Sequence, residues 1–159
     1  ALAWNLPTNQ TLASGQIIGA PKWLDTASFD IIAKLPSELA PANGTMERYK
    51  LQEWLNFITS EIHKQFSPLF DASMPDETKA KFRDKLAGRF DWIVEQLGDR
   101  EYLTGENFTI ADAYLFTGLN WTKWAGIDLA RWPVLQSYVA RVAARPEVQT
   151  AMKEEGLLN

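Results

Sequence analysis

The sequence predicts a mainly helical protein, a bundle of five helices that follows a short segment of different character. From residue 43 onward, apolar residues recur every three or four positions, which is the period of a helix packed on one side. Residues 1–37 lack that period and are rich in Thr, Ser, Gly, Asn and Pro. Thr109 followed three positions later by Asp112 has the pattern of a capping box at a helix start.

Short strands or coil are expected in the N-terminal segment. The runs Gln16–Ile18 and Phe29–Lys34 lie on either side of a Gly-Ala-Pro turn signal at residues 19–21. The second run could also form one and a half turns of helix. Its β-branched residues, Ile31 and Ile32, favour the strand.

The first helix is expected over residues 45–70 and the second over residues 76–97. Spacings of three and four place one set of apolar residues on the buried side of the first helix: Leu51, Leu55, Ile58, Ile62, Phe66 and Leu69. Asp76 is a candidate N-cap for the second helix, because it follows Pro75. Gly98 is expected to end that helix.

The third helix is expected to begin at the capping box. The Thr109 hydroxyl can accept the N–H of Asp112, and the Asp112 carboxylate can reach back to the N–H of Thr109. A carboxylate is also favourable at the positive end of the helix dipole, so we assign Asp112 to capping and not to acid–base chemistry. This helix is expected to end near Gly126, the fourth to span residues 133–144, and the fifth residues 146–155.

Composition excludes several classes of function. The net charge is −4, without a basic block, so nucleic acid and anionic membranes are poor partners. The absence of Cys excludes disulfides, thiolate zinc sites and cysteine nucleophiles, and a single His offers no metal-ligand set. There is no Gly-rich phosphate loop, membrane span or signal segment, so we expect a cytoplasmic protein that needs no cofactor.

Three segments carry a resemblance to a known family: LAPANGTMERYKLQEWLNFITSEIHKQFSPLF, YLTGENFTIADAYLF and RPEVQTAMKEEGLL. Together they resemble the C-terminal domain of bacterial beta-class glutathione transferases, over residues 39–159. The resemblance implies the helical bundle of that domain. It also implies glutathione as a substrate, with a hydrophobic small molecule as the electrophile.

Residues 1–38 do not match the thioredoxin-like domain that precedes the helical domain in that family, and they contain no Cys. Residues 10–36, which include GQIIGAPKWLDTASFDIIAKLP, instead resemble a segment of an uncharacterised soil-bacterial family. The chain is therefore interpreted as two parts, 1–38 and 39–159, in a natural or engineered hybrid. A diverged or truncated transferase is the alternative.

Candidate ligand-binding residues lie on the first long helix. Asn56 and His63 share one stripe, and the near-neutral pKa of an imidazole suits hydrogen bonding to a thiol, thiolate or carboxylate. The resemblance implies that His63 and Lys64 face glutathione, with Lys64 as the cation for a carboxylate. It also implies that Asn56 and Glu61 lie near that site or at a dimer rim. An ordinary solvated helix face is the alternative interpretation of His63 and Lys64.

Aromatic residues of the third helix could line a pocket for the electrophile. They are Tyr114 with Trp121, seven positions apart, and Phe116 with Trp124, eight positions apart. Helical spacing of aromatics is more typical of core packing.

Two hypotheses about function follow. In the first, the chain is a transferase relative that activates the thiol of glutathione for attack on an electrophile. Little or no conjugating activity is expected, because the resemblance supplies only one wall of the site. In the second, it is a non-catalytic helical module for binding or dimerisation, or a chimera selected for folding. Without the thioredoxin-like domain, an apolar face of the helical bundle would be uncovered. A second copy, a partner or residues 1–37 would then have to cover it. The expected covering residues are Trp4, Leu6, Ile17, Ile18, Trp23, Phe29 and Ile31.

Overall fold

The computed structural model describes residues 39–157. Within this range the chain forms five helical stretches and no strand, which confirms the mainly helical prediction. The elements are α1 (Met46–Phe57), a π-helical segment (Ile58–His63), α2 (Lys64–Phe70), α3 (Asp76–Leu97), α4 (Ile110–Asn120), α5 (Thr122–Ala125), a 3-10 turn (Leu129–Arg131), α6 (Pro133–Ala143) and α7 (Pro146–Glu154). The expected strands and covering residues lie outside the described part of the chain.

The first helical stretch begins where its polar cap predicts. Thr45 has an extended backbone, and its hydroxyl accepts the N–H of Arg48 at 3.2 Å. The stretch is not uniform, however, because the π-helical segment joins α1 to α2. There the N–H of Lys64 donates to the carbonyl of Thr59, five residues back. π-Helical segments are rare in proteins, but those that occur are often found at functional sites.

The second stretch, α3, corrects one expectation. Asp76 is the first helical residue, and Pro75 occupies the N-cap position without a side-chain hydrogen bond, so the prediction that Asp76 is the N-cap was wrong. A carboxylate in the first turn is still favourable at the positive end of the helix dipole. Gly98 ends the helix as predicted, with a positive φ of 52°.

The third stretch ends at Gly126, as predicted, but it is divided into two helices. The helix α4 stops at Asn120, since the N–H of Trp121 bonds to the carbonyl of Gly118, three residues back, and tightens the last turn. The single turn of α5 then runs to Gly126, which adopts the left-handed conformation at φ 70°. The fourth and fifth stretches begin at Pro133 and Pro146, as predicted.

The core surrounds α4. This helix contacts α1, the π-helical segment and α6, while α3 contacts α2 and α6. The largest side chains with almost no exposed surface are Leu51, Ile58, Ile62, Phe66, Leu86, Phe90, Ile93, Leu97, Leu103, Leu115, Leu119 and Tyr138. Burial of this set stabilises the bundle by the hydrophobic effect. None of the described helices is long and apolar enough to cross a membrane.

Candidate functional site

His63, the only histidine of the sequence, lies at the end of the π-helical segment and is partly buried against α4. Its Nδ1 is 2.8 Å from the hydroxyl oxygen of Tyr114. The imidazole also meets the ring of Trp121 edge to face, with centroids 4.8 Å apart and an interplanar angle of 84°. Tyr114 and Trp121, which both lie outside the helical stretch of His63, thus hold the imidazole in place.

The electrostatic state of His63 follows from this partial burial. Burial lowers the pKa of the imidazole below its ordinary value of 6.5, because a charged ring loses more solvation than a neutral one. At neutral pH the uncharged form of the ring therefore predominates. It can offer a ligand one hydrogen bond, but it does not supply a positive charge.

The rings around His63 form a partly exposed aromatic cluster. Trp121 meets Phe66 edge to face at 5.6 Å and Phe70 at 6.2 Å. Phe66 and Phe70 are stacked at 6.0 Å, and 49% of Phe70 is exposed. The resulting surface combines one polar imidazole edge with apolar rings, an arrangement that suits a ligand with both kinds of group.

Glu61 points to a different neighbour. Its Oε2 lies 2.6 Å from Nη2 and 2.8 Å from Nε of Arg89 on α3. This ion pair is partly solvent-exposed, so it contributes little to stability. Since His63 contacts α4 and Glu61 contacts α3, the structure does not bring these two predicted site residues together.

Asn56 and Lys64 are both exposed, and neither side chain has a hydrogen-bond partner within residues 39–157. The four predicted site residues therefore share a helical stretch but do not form one cluster. The contact that does form, between His63 and Tyr114, joins residues 51 positions apart and has no signal in local sequence. Of the other predicted aromatics, Phe116 is buried, whereas Trp124 is 65% exposed.

Asp112 occupies the centre of a buried hydrogen-bond network at the start of α4. Its Oδ2 accepts the N–H and the hydroxyl of Thr109, each at 2.8 Å, and the capping-box geometry is present. Its Oδ1 accepts the N–H of Leu103 and the hydroxyl of Tyr138, also at 2.8 Å. The Asp112 side chain has no exposed surface.

Tyr138 is suited to remain a donor in this network. Burial raises the pKa of its hydroxyl, and the neighbouring Asp112 carboxylate raises it further. The hydroxyl is therefore protonated at neutral pH. The network is therefore closed to solvent and structural in character.

A separate cleft of about 210 Å³ lies between α1 and α3. Three aromatic rings that contact one another contribute to its lining. Phe57 and Trp92 are 4.4 Å apart, and Trp54 and Trp92 are 5.5 Å apart. His63 does not line this cleft, and residues 39–157 contain no cluster of three potential metal ligands from His, Cys, Asp and Glu.

Comparison with known proteins identifies the family. Residues 57–146 match the family described as "Glutathione S-transferase, C-terminal domain". The chain belongs to the glutathione S-transferase family. The matched range includes the π-helical segment, α4 and the Asp112 network.

Individual relatives agree with this assignment. The chain is 44% identical over 119 residues to the glutathione S-transferase GstA of Escherichia coli O157:H7 and spans 59% of the length of that relative, with 75% of its own length aligned. It is similar to the beta-class glutathione S-transferase of Sphingomonas chungbukensis, with a TM-score of 0.78 and 37% identity, covering 94% of this chain and 73% of the other. A sphingomonad glutathione S-transferase complexed with glutathione gives a TM-score of 0.77 and 35% identity over the same shares.

Proposed function

We propose that this chain is a cytoplasmic glutathione S-transferase relative that offers glutathione one helical wall and has little or no conjugating activity of its own. The observation that carries the proposal is the pair of a neutral imidazole, His63, and the aromatic cluster beside it. A structurally similar sphingomonad enzyme has been solved with glutathione bound. The sequence contains no Cys that could act as a nucleophile.

The chemistry of such a wall is hydrogen bonding to sulfur. A pre-placed donor stabilises a thiolate more than a thiol, because the negative charge strengthens the hydrogen bond. Trp121 and Phe70 would contact the apolar part of an electrophile, and the exposed ammonium of Lys64 would pair with a glutathione carboxylate.

Binding by one wall is expected to be weak. Each charge-assisted hydrogen bond contributes about 1.5–3 kcal/mol, and association itself costs several kcal/mol of lost freedom. A dissociation constant of about 1 mM, equivalent to about 4 kcal/mol, is the expected scale.

Calorimetric titration with reduced glutathione tests the proposal. We expect saturable, weak binding by the natural chain, its loss in His63→Ala, and its retention in the control Thr59→Ala. Thr59 is a suitable control because it lies in the same helical segment, is exposed, and bonds only to the carbonyl of Leu55. Equal binding by the natural chain and His63→Ala would contradict the proposal, as would the absence of any heat.

A second candidate function is self-association through one stripe of α1. Met46, Tyr49, Lys50, Glu53 and Phe57 share this stripe, and its last three residues also line the cleft between α1 and α3. Met46 is 65% exposed and Tyr49 is 58% exposed. The opposite charges of Lys50 and Glu53 allow the stripe to pair with itself across a two-fold axis.

Sedimentation velocity over a range of concentrations tests this second candidate. We expect a dimer whose fraction rises with concentration and falls in Tyr49→Ser, because the substitution removes apolar area from the stripe. Trp124→Ser is the matched control, since Trp124 is also a largely exposed aromatic residue but lies on α5. A monomer at every concentration would exclude self-association through this face.

A further inference from the structure

Either His63 or Tyr114 can donate the proton in the hydrogen bond between them, and the choice determines what the imidazole can offer a ligand. The two atoms, Nδ1 and the hydroxyl oxygen, are 2.8 Å apart, a normal length for such a bond. Within residues 39–157 neither side chain has another hydrogen bond. A neutral imidazole has one N–H and one acceptor nitrogen, so this bond determines which nitrogen carries the proton.

The chemistry of the two groups favours donation by the tyrosine. An imidazole nitrogen is a strong acceptor, because its lone pair lies in the ring plane and is not delocalised. A phenol is a good donor and a weak acceptor, because its oxygen lone pair is shared with the ring. With Tyr114 donating to Nδ1, the remaining proton of His63 must lie on Nε2.

The surroundings also fix the orientation of the imidazole. Trp121 packs against the ring edge to face, with centroids 4.8 Å apart. Next to His63 in the chain, Ile62 is fully buried at the crossing of the π-helical segment and α4. Flipping the ring would replace Nδ1 with a carbon and lose the bond to Tyr114.

We propose that Tyr114 is a positioning residue, whose hydroxyl holds His63 as the Nε2–H tautomer and so makes it a hydrogen-bond donor to ligands. The proposal rests on the proposed function, because it specifies the chemistry that the wall presents to glutathione. A donor on Nε2 selects ligand groups that accept, such as a thiolate or a carboxylate. It disfavours ammonium groups, which can only donate.

Nitrogen NMR of the free protein tests this proposal without any ligand. Since the sequence contains one histidine, histidine labelled with ¹⁵N gives a single pair of ring signals. At a pH well above the imidazole midpoint, we expect Nδ1 to resonate as an unprotonated nitrogen and Nε2 as a protonated one. In Tyr114→Phe both signals should move toward the averaged values of an imidazole that exchanges between tautomers.

Tyr49→Phe is the matched control, because Tyr49 is exposed on α1 and lies outside the cluster. It should leave both signals unchanged. A protonated Nδ1 in the natural chain would overturn the proposal, as would an unchanged tautomer ratio in a folded Tyr114→Phe. A fixed tautomer without glutathione binding would contradict the proposed function but not the tautomer proposal. Failure of one proposal can therefore be distinguished from failure of the other.

Discussion

Asp112→Ala is expected to abolish cooperative folding, or to lower the free energy of unfolding by at least about 3 kcal/mol. The substitution leaves the buried N–H groups of Leu103 and Thr109 without their acceptor. It leaves the hydroxyl of Tyr138 with only a long contact of 3.5 Å to the backbone carbonyl of residue 112. Each such orphaned group costs about 1–3 kcal/mol, and loss of a cap adds about 0.5–2 kcal/mol. The sum is comparable to the whole stability of a typical domain, about 5–15 kcal/mol.

Two milder variants separate the parts of this effect. Tyr138→Phe removes one donor while the carboxylate keeps three, so a loss of about 1–2 kcal/mol is expected. Asp112→Asn preserves size but replaces one acceptor oxygen with a donor, so it should fall between Tyr138→Phe and Asp112→Ala. Urea denaturation followed by circular dichroism measures all three.

The double variant Asp112→Ala with Tyr138→Phe provides the sharper test. Because the phenylalanine removes the hydroxyl that the alanine would deprive of its carboxylate acceptor, the double variant should be less destabilised than the sum of the single variants. Should Asp112→Ala unfold within about 1 kcal/mol of the natural chain, the network would be incidental to stability.

The sequence predicts this network only in part, for a physical reason. A capping box depends on residues three positions apart, so Thr109 and Asp112 reveal it locally. The other two donors, Leu103 and Tyr138, lie nine and 26 positions from Asp112 and reach it only through the fold. Local sequence also does not decide whether Pro75 or Asp76 becomes the N-cap of α3.

The same distinction applies to the candidate site. His63 is recognisable from the sequence as the single histidine, a residue whose near-neutral pKa suits hydrogen bonding to a ligand. Its contact with Tyr114, however, depends on how two helices cross. The π-helical segment is equally hidden, because Ile58 and Ile62 keep a spacing of four that fits an ordinary helix. The ion pair of Glu61 with Arg89 likewise joins two helices, at a separation of 28 positions.

The second large effect is expected where the π-helical segment crosses α4. Gly118 lies so near this segment that an added Cβ would be 3.4 Å from Cγ2 of Ile62, which is fully buried. Ile62→Ala should therefore lower stability by about 2–5 kcal/mol through the cavity it leaves. Gly118→Leu should lower it by about 1–3 kcal/mol or more, because the larger side chain meets Ile62.

A matched substitution at the same glycine is expected to be nearly neutral. In Gly118→Ala the single methyl makes an ordinary contact at 3.4 Å. The gain of about 0.5–1 kcal/mol from replacing glycine inside a helix offsets the small repacking that this contact requires. Combining Ile62→Ala with Gly118→Leu should restore part of the loss, with a coupling of about 0.5–3 kcal/mol.

This crossing also sets the distance between the two groups of the candidate site. Ile62 precedes His63, and Gly118 follows Tyr114 by about one turn of α4. A bulky residue at the crossing should therefore separate the imidazole from the hydroxyl and shift the His63 tautomer, whereas Gly118→Ala should not. Strictly additive stability losses, together with an unchanged tautomer in a folded Gly118→Leu, would mean that the crossing and the hydrogen bond are independent.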